Sequence, residues 1–150
     1  MILPKGEQSW LSVRPLPCYS RLHMSTDLRQ VLLVDDSATM RKFISETLEA
    51  EGDFAVTAAT TGFEALRLLP RSRFDLIITD INMPDINGLE LLRFIRESPN
   101  HSRVPVFLIS TDSSERDRER GMKLGADAYL VKPFEPEALL EIVRQSMKPA

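Results

Sequence analysis

The chain has 150 residues, of which 43% are hydrophobic and 27% charged, and its formal net charge is −3 at pH 7. These values fit one soluble globular domain with room for a real core, and the acidic balance excludes a nucleic-acid binder that works through its overall field. The single cysteine, Cys18, excludes an internal disulfide and suits a reducing compartment.

No apolar run approaches the ~20 residues of a membrane span, and residues 1–10 lack the continuous apolar segment of a secretory signal. The protein is therefore expected to be cytoplasmic, with no membrane partner and no direct nucleic-acid contact. Residues 1–26 read differently from the rest. Pro4, Pro15 and Pro17 break any helix and neither apolar period is sustained. They are read as a disordered tail ahead of a domain at 27–150. Two alternatives stay open: a docking segment using Trp10, Leu11 and Val13, and an over-extended start with Met24 as the natural one.

From Gln30 the pattern is regular. Val31-Leu32-Leu33-Val34 is too short for a helix and rich in strand formers. Met40, Phe43, Ile44, Thr47 and Leu48 recur at helical spacing and stop before Gly52. A second strand fits 54–59, then a short helix around 63–69, then a third apolar run, Leu76-Ile77-Ile78. Leu89, Leu92 and Ile95 mark a helix that ends before Pro99. A fourth strand fits 104–109, with Pro105 tolerable near its start. Ser113 and Ser114 can cap a charged helix that ends near Gly125. Residues 128–131 form a fifth apolar run, and 136–147 the last helix. Five alternations of strand and helix predict an α/β fold: a parallel sheet with helices on both faces, its strands apolar on both sides.

Polar residues that could do chemistry stand at the strand ends. Asp35 and Asp36 follow the first run and Asp80 the third. Ser110 and Thr111 close the fourth, and Lys132 closes the fifth. In an open parallel sheet, ligands bind beyond the carboxyl ends of the strands where the strand order reverses. The three acids would therefore converge if the first and third strands are neighbours. Carboxylates held that close repel one another and raise one another's pKa values. A hard divalent cation resolves the conflict, and an oxygen-rich site suits magnesium. Phosphoryl transfer asks chiefly for positioning and charge stabilisation, which this set could supply.

The pieces Val34-Asp35-Asp36-Ser37, Thr79-Asp80-Ile81-Asn82-Met83-Pro84, Ile109-Ser110-Thr111 and Val131-Lys132-Pro133-Phe134 resemble bacterial two-component response-regulator receiver domains. The likeness is strongest to the single-domain chemotaxis regulator and spans about 29–148. It implies a flavodoxin-like, doubly wound five-stranded parallel sheet of order 2-1-3-4-5. It also implies a signalling switch and not an enzyme with separate substrate turnover. By the same resemblance Asp80 is the phosphoacceptor. Asp35, Asp36, Asp80 and the backbone carbonyl of Asn82 hold Mg²⁺ (or Mn²⁺). Lys132 pairs with phosphoryl oxygens, Ser110, beside Thr111, is the switch hydroxyl, and Tyr129 is the aromatic that moves inward with it. Asn82 and Asp112 match positions that tune loss of the phosphoryl group. The Lys132–Pro133 bond is expected to be cis. The implied donor is a histidine kinase or a histidine phosphotransfer protein, and the implied oligomeric state is a monomer or a weak phosphorylation-dependent dimer.

Taken singly, each residue has a plainer reading. Asp36 and Ser37 could only cap a helix, Asp80 could only start a turn, Lys132 could be solvated, and Tyr129 could be packing. Capping does not explain why four of the five strands should end in groups suited to phosphate or metal. A haloacid-dehalogenase-type phosphatase would need a second acid two residues after its nucleophile, but Ser37 and Ala38 occupy those places. The remaining alternative is a receiver-shaped interaction module that is never phosphorylated. No DNA-binding or enzymatic segment is expected, so output is expected through a downstream protein contact, which by the resemblance uses the fourth helix, fifth strand and last helix. In the fourth helix Glu115 to Arg120 are all charged, and apolar support is expected only from Met122 and Leu124. His23 and His101 fall outside the motifs.

Overall fold

The computed structural model describes residues 28–147, so the expected tail at 1–26 lies outside the described residues. The order of elements is β1 (Arg29–Val34), α1 (Ala38–Glu49), β2 (Phe54–Ala59), α2 (Gly62–Leu68), β3 (Leu76–Asp80), α3 (Gly88–Glu97), β4 (Val106–Ser110), α4 (Glu115–Lys123), β5 (Ala128–Val131) and α5 (Pro136–Ser146). The five strands form one parallel sheet in the order β2-β1-β3-β4-β5. Alternation and strand order are as the sequence and the resemblance led one to expect. No described helix is long and apolar enough to cross a membrane.

The sheet divides the core in two through the period-2 geometry of strands. Leu32, Val34, Ile77, Val106 and Leu108 point to the side covered by α2 and α3, where Ala65, Leu69, Leu89, Leu92 and Ile95 meet them. Val31, Leu33, Leu76, Ile78, Phe107 and Ile109 point the other way, onto Ile44 and Leu48 of α1 and Leu139, Leu140 and Val143 of α5. Each fully buried Leu, Ile or Val contributes about 1.5–3 kcal/mol, so both layers matter. Burial on both sides holds for β3 and β4 and for most of β1, but not for the edges. In β2 only Phe54 and Ala59 are buried, and in β5 only Leu130. The fourth strand begins at Val106, later than expected. Pro105, which has no N–H to give a ladder, contributes its carbonyl instead, accepting from Ile77 N at 3.0 Å.

Helix ends follow local chemistry. Ser37 caps α1 by accepting from Met40 N, Thr61 caps α2 by accepting from Glu64 N, and Ser114 caps α4 by accepting from Asp117 N. At α3, Asn87 and Glu90 form a reciprocal capping box. Strand register then brings the carboxyl ends of the central strands level. Val34 pairs with Thr79, Asp80 with Ile109, and Ser110 with Val131. Because β1 is flanked by β2 on one side and β3 on the other, the strand order reverses there. The cleft opens at that point.

Candidate functional site

Asp35 is fully buried just past β1. Its backbone N–H donates to Ala59 O at 3.1 Å, and its Oδ1 accepts from Ser37 N at 2.9 Å. Asp36 is exposed at the rim. Asp80, the last residue of β3, is 5% exposed, and its Oδ1 accepts from Asn82 N at 3.3 Å. Asp35, Asp36 and Asp80 each offer a carboxylate oxygen, and these atoms all lie within 4.8 Å of one another. The convergence expected from neighbouring first and third strands is therefore realised.

Lys132 closes the site from β5. Its Nζ lies 3.1 Å from Asp35 Oδ2 and 3.5 Å from Asp80 Oδ2. Its backbone N–H donates to Ser110 O at 2.8 Å, and the Lys132–Pro133 bond is cis, as expected. Burial pushes the Asp80 carboxyl above its ordinary range and the Asp35 charge adds to this, against the pull of Lys132 and the Asn82 N–H. Three carboxylates and one lysine leave two negative charges within this group of four. An all-oxygen donor set with that deficit fits a hard divalent cation.

On the other flank, Ser110 is buried, and its Oγ accepts from Asp112 N at 2.9 Å and from Asn82 Nδ2 at 3.5 Å. Tyr129 is half-buried against the α2–α3 layer, and its hydroxyl donates to Asp112 O at 2.8 Å. Burial raises the Tyr129 pKa, so the phenol is protonated at neutral pH and can donate. The Ser110 and Tyr129 hydroxyls thus hold the backbone N–H and the carbonyl of one residue, Asp112. Thr111, Asn82 and Asp112 stand exposed at the mouth.

Three further residues position the site, and sequence reasoning missed them. Arg41 on α1 donates from Nη1 to the Asp35 carbonyl at 2.8 Å. Asp85 accepts from Gly62 N at 3.2 Å and Phe63 N at 2.9 Å, fastening the loop after β3 to the start of α2. Gly88 donates to Ile81 O at 2.8 Å, and a Cβ there would run into the Asp80 carbonyl and sit 2.8 Å from Ile81 Cα. The turn-rich run from Met83 to Gly88 carried a signal for the last two. Nothing in the pattern singled out Arg41.

One expectation needs correction. Met122 was to anchor α4, yet it is 45% exposed. Gly121 is the only buried residue of the helix, and a Cβ on it would collide with Leu108 Cδ1. A helix can approach a sheet this closely only where a side chain is missing. Leu124, just past the helix, does pack on the core as expected.

A doubly wound sheet with an acid triad, a lysine and a hydroxyl at its strand ends defines a receiver. The family model described as the response regulator receiver domain matches residues 31–144, and the chain belongs to that family. Within it, the "Chemotaxis protein CheY homolog" of Campylobacter jejuni is 38% identical over 113 residues, covering 75% of this chain and 87% of that protein. The solved structure of Vibrio cholerae chemotaxis protein CheY4 superposes with a TM-score of 0.76 at 37% identity, covering 80% of this chain and 99% of that one. A third similar structure is the receiver domain of the Pseudomonas aeruginosa sensor histidine kinase PA1611, described with a magnesium ion coordinated in its active-site cleft. It has a TM-score of 0.72 and 31% identity, covering 79% of this chain and 97% of that one. The protein carries a CheY-like receiver domain of a two-component response regulator.

Proposed function

We propose that Asp80 accepts a phosphoryl group and that its phosphorylation state sets a protein-binding surface. The observation that carries this reading is the placement of Asp80: nearly buried, beside two acids and a lysine. An Asp80 carboxylate oxygen attacks phosphorus on a phosphohistidine of a kinase or phosphotransfer protein. The P–N bond breaks, the imidazole leaves, and an acyl phosphate forms on Asp80. Lys132 exchanges its pairing with Asp35 and Asp80 for a phosphoryl oxygen, and Ser110 donates its hydroxyl to another. Asp35, Asp36, Asp80 and the Asn82 carbonyl are the groups that would hold Mg²⁺, which supplies positive charge against the charge that builds on the transferring group.

Exposed Asn82 and Asp112 flank the mouth, where a hydrolytic water has to pass, and so set the lifetime of the phosphorylated state. When the Ser110 hydroxyl turns to phosphate it releases Asp112 N. The Tyr129 contact to Asp112 O then shifts with it, and the change reaches α4, β5 and α5 as the output face. The domain acts as a switch in the cytoplasm. A downstream protein is its reader, and self-association is weak or absent without phosphorylation.

Incubation with labelled acetyl phosphate should give Mg²⁺-dependent, hydroxylamine-labile label that is absent in Asp80→Asn. Wild type that stays unlabelled with acetyl phosphate and with a cognate kinase would instead favour an interaction module.

A further inference from the structure

The large exposed apolar side chains fall on two separate surfaces. Met122 and Val131 belong to α4 and β5, the face proposed for output. Among the described residues, Phe63 on α2 and Phe94 on α3 are the two most exposed, at 58% and 50%. Their helices pack against each other on one side of the sheet. Neither ring joins the core layer beneath it.

Arginine outnumbers free acid on the same face, where Glu97 is the one exposed acid of α2 and α3 with no hydrogen bond or ion pair among the described residues. The acids near the N-terminal ends of these helices are already engaged: Glu64 accepts from Thr60 N at 2.7 Å, and Glu90 accepts from Asn87 N at 3.3 Å. Arg67, Arg93, and Arg71, Arg73 and Arg103 in the loops that follow the two helices are all exposed. None forms an ion pair with a described carboxylate. The two loops touch, since Phe74 N donates to His101 Nε2 at 3.2 Å across them. Arg96 pins the second loop to α3 through the Ser102 and Val104 carbonyls. The helix dipole accounts for an arginine in the last turn of α2, namely Arg67. It does not account for three unpaired arginines in loops or for two exposed phenylalanines.

Single exposed apolar residues are ordinary, but aromatic rings grouped with arginine have the composition of protein interface centres. We infer that the α2–α3 face, with Phe63, Phe94, Arg67, Arg71 and Arg93, is a second docking surface, whose partner is an acidic amphipathic segment of another protein. A nucleic acid fits less well. The chain is net acidic, and its acid cleft lies at the carboxyl edge of the same sheet. The surface is distinct from α4–β5–α5, so one partner can be held while the output face is read by another.

The test uses the full chain and a fluorescein-labelled amphipathic peptide of about five helical turns, with Leu on one stripe and Glu elsewhere. Anisotropy should show salt-sensitive binding that weakens at least tenfold, about 1.4 kcal/mol, in Phe63→Ser/Phe94→Ser and in Arg67→Glu/Arg71→Glu. Met122→Ser should bind as wild type. Unchanged thermal melts and acetyl phosphate labelling would show that the variants fold. Equal binding by wild type and both double variants would overturn the inference. So would loss of binding in Met122→Ser, or tighter binding of a short DNA duplex than of the peptide at equal salt.

Discussion

Helices α3 and α4 are neighbours on the same side of the sheet, and they are held in opposite ways. α3 buries Gly88, Leu89, Leu91, Leu92 and Ile95 and is closed by a capping box. α4 buries Gly121 alone, and its first six residues are all charged. The difference tracks what each adjoins. Gly88, at the start of α3, lies against the Asp80 backbone, so a fixed α3 fixes Asp80, the proposed acceptor. The N-terminal end of α4 follows Asp112, the residue held by the Ser110 and Tyr129 hydroxyls, where the proposed switch requires movement. Its far end is tethered, since Arg96 donates from Nη2 to Gly125 O at 2.6 Å and pairs with Asp127 at 3.1 Å. A helix held at one end, with little apolar surface beneath the rest, opens at low cost.

The contrast is most open to attack through the core. Leu92→Ala should cost about 2–5 kcal/mol in urea unfolding, whereas Met122→Ala should stay within about 0.5 kcal/mol. Similar losses at both positions would dissolve the distinction. Glycine substitutions come next. Gly88→Ala forces a methyl group onto the Asp80 and Ile81 backbone, which cannot yield locally, so a loss of about 1–3 kcal/mol and slower phosphoryl incorporation are expected. In Gly121→Ala the obstacle is the end of the Leu108 side chain, which can rotate. That variant should lose less global stability and show faster amide exchange confined to α4.

The smallest effect concerns pH. His101 is 1% exposed, and burial, with the nearby Arg73 charge, lowers its pKa from the usual 6.5. The folded state then binds fewer protons than the unfolded one below that value, so stability should fall as pH drops from about 7 through 6. His101→Gln should flatten this slope while leaving α3 and α4 as different as before. A slope unchanged in the variant would assign it to other groups.

Much of this was legible in the sequence for a simple reason. Central strands buried on both faces must be continuous apolar runs, so the residue that ends each run is conspicuous: Asp35, Asp80 and Ser110. Edge strands obey a weaker rule, and β2 and β5 turned out half-covered. Long-range contacts left no local trace. Arg41 reaches the Asp35 carbonyl from a helical position with no periodic meaning. His101 looked like a loop residue and is buried because its Nε2 meets Phe74 N, 27 positions away in sequence. Apolar content does not measure packing at α4, where close approach depends on the lack of a side chain at Gly121.

The most direct test of the switch is amide hydrogen exchange across α3 and α4 with and without acetyl phosphate and Mg²⁺, in wild type and Asp80→Asn. The expected result is a change in α4 exchange on phosphorylation of the wild type, no change in α3, and no change in either helix of the variant. Equal changes in both helices, or an α4 response that survives Asp80→Asn, would contradict it.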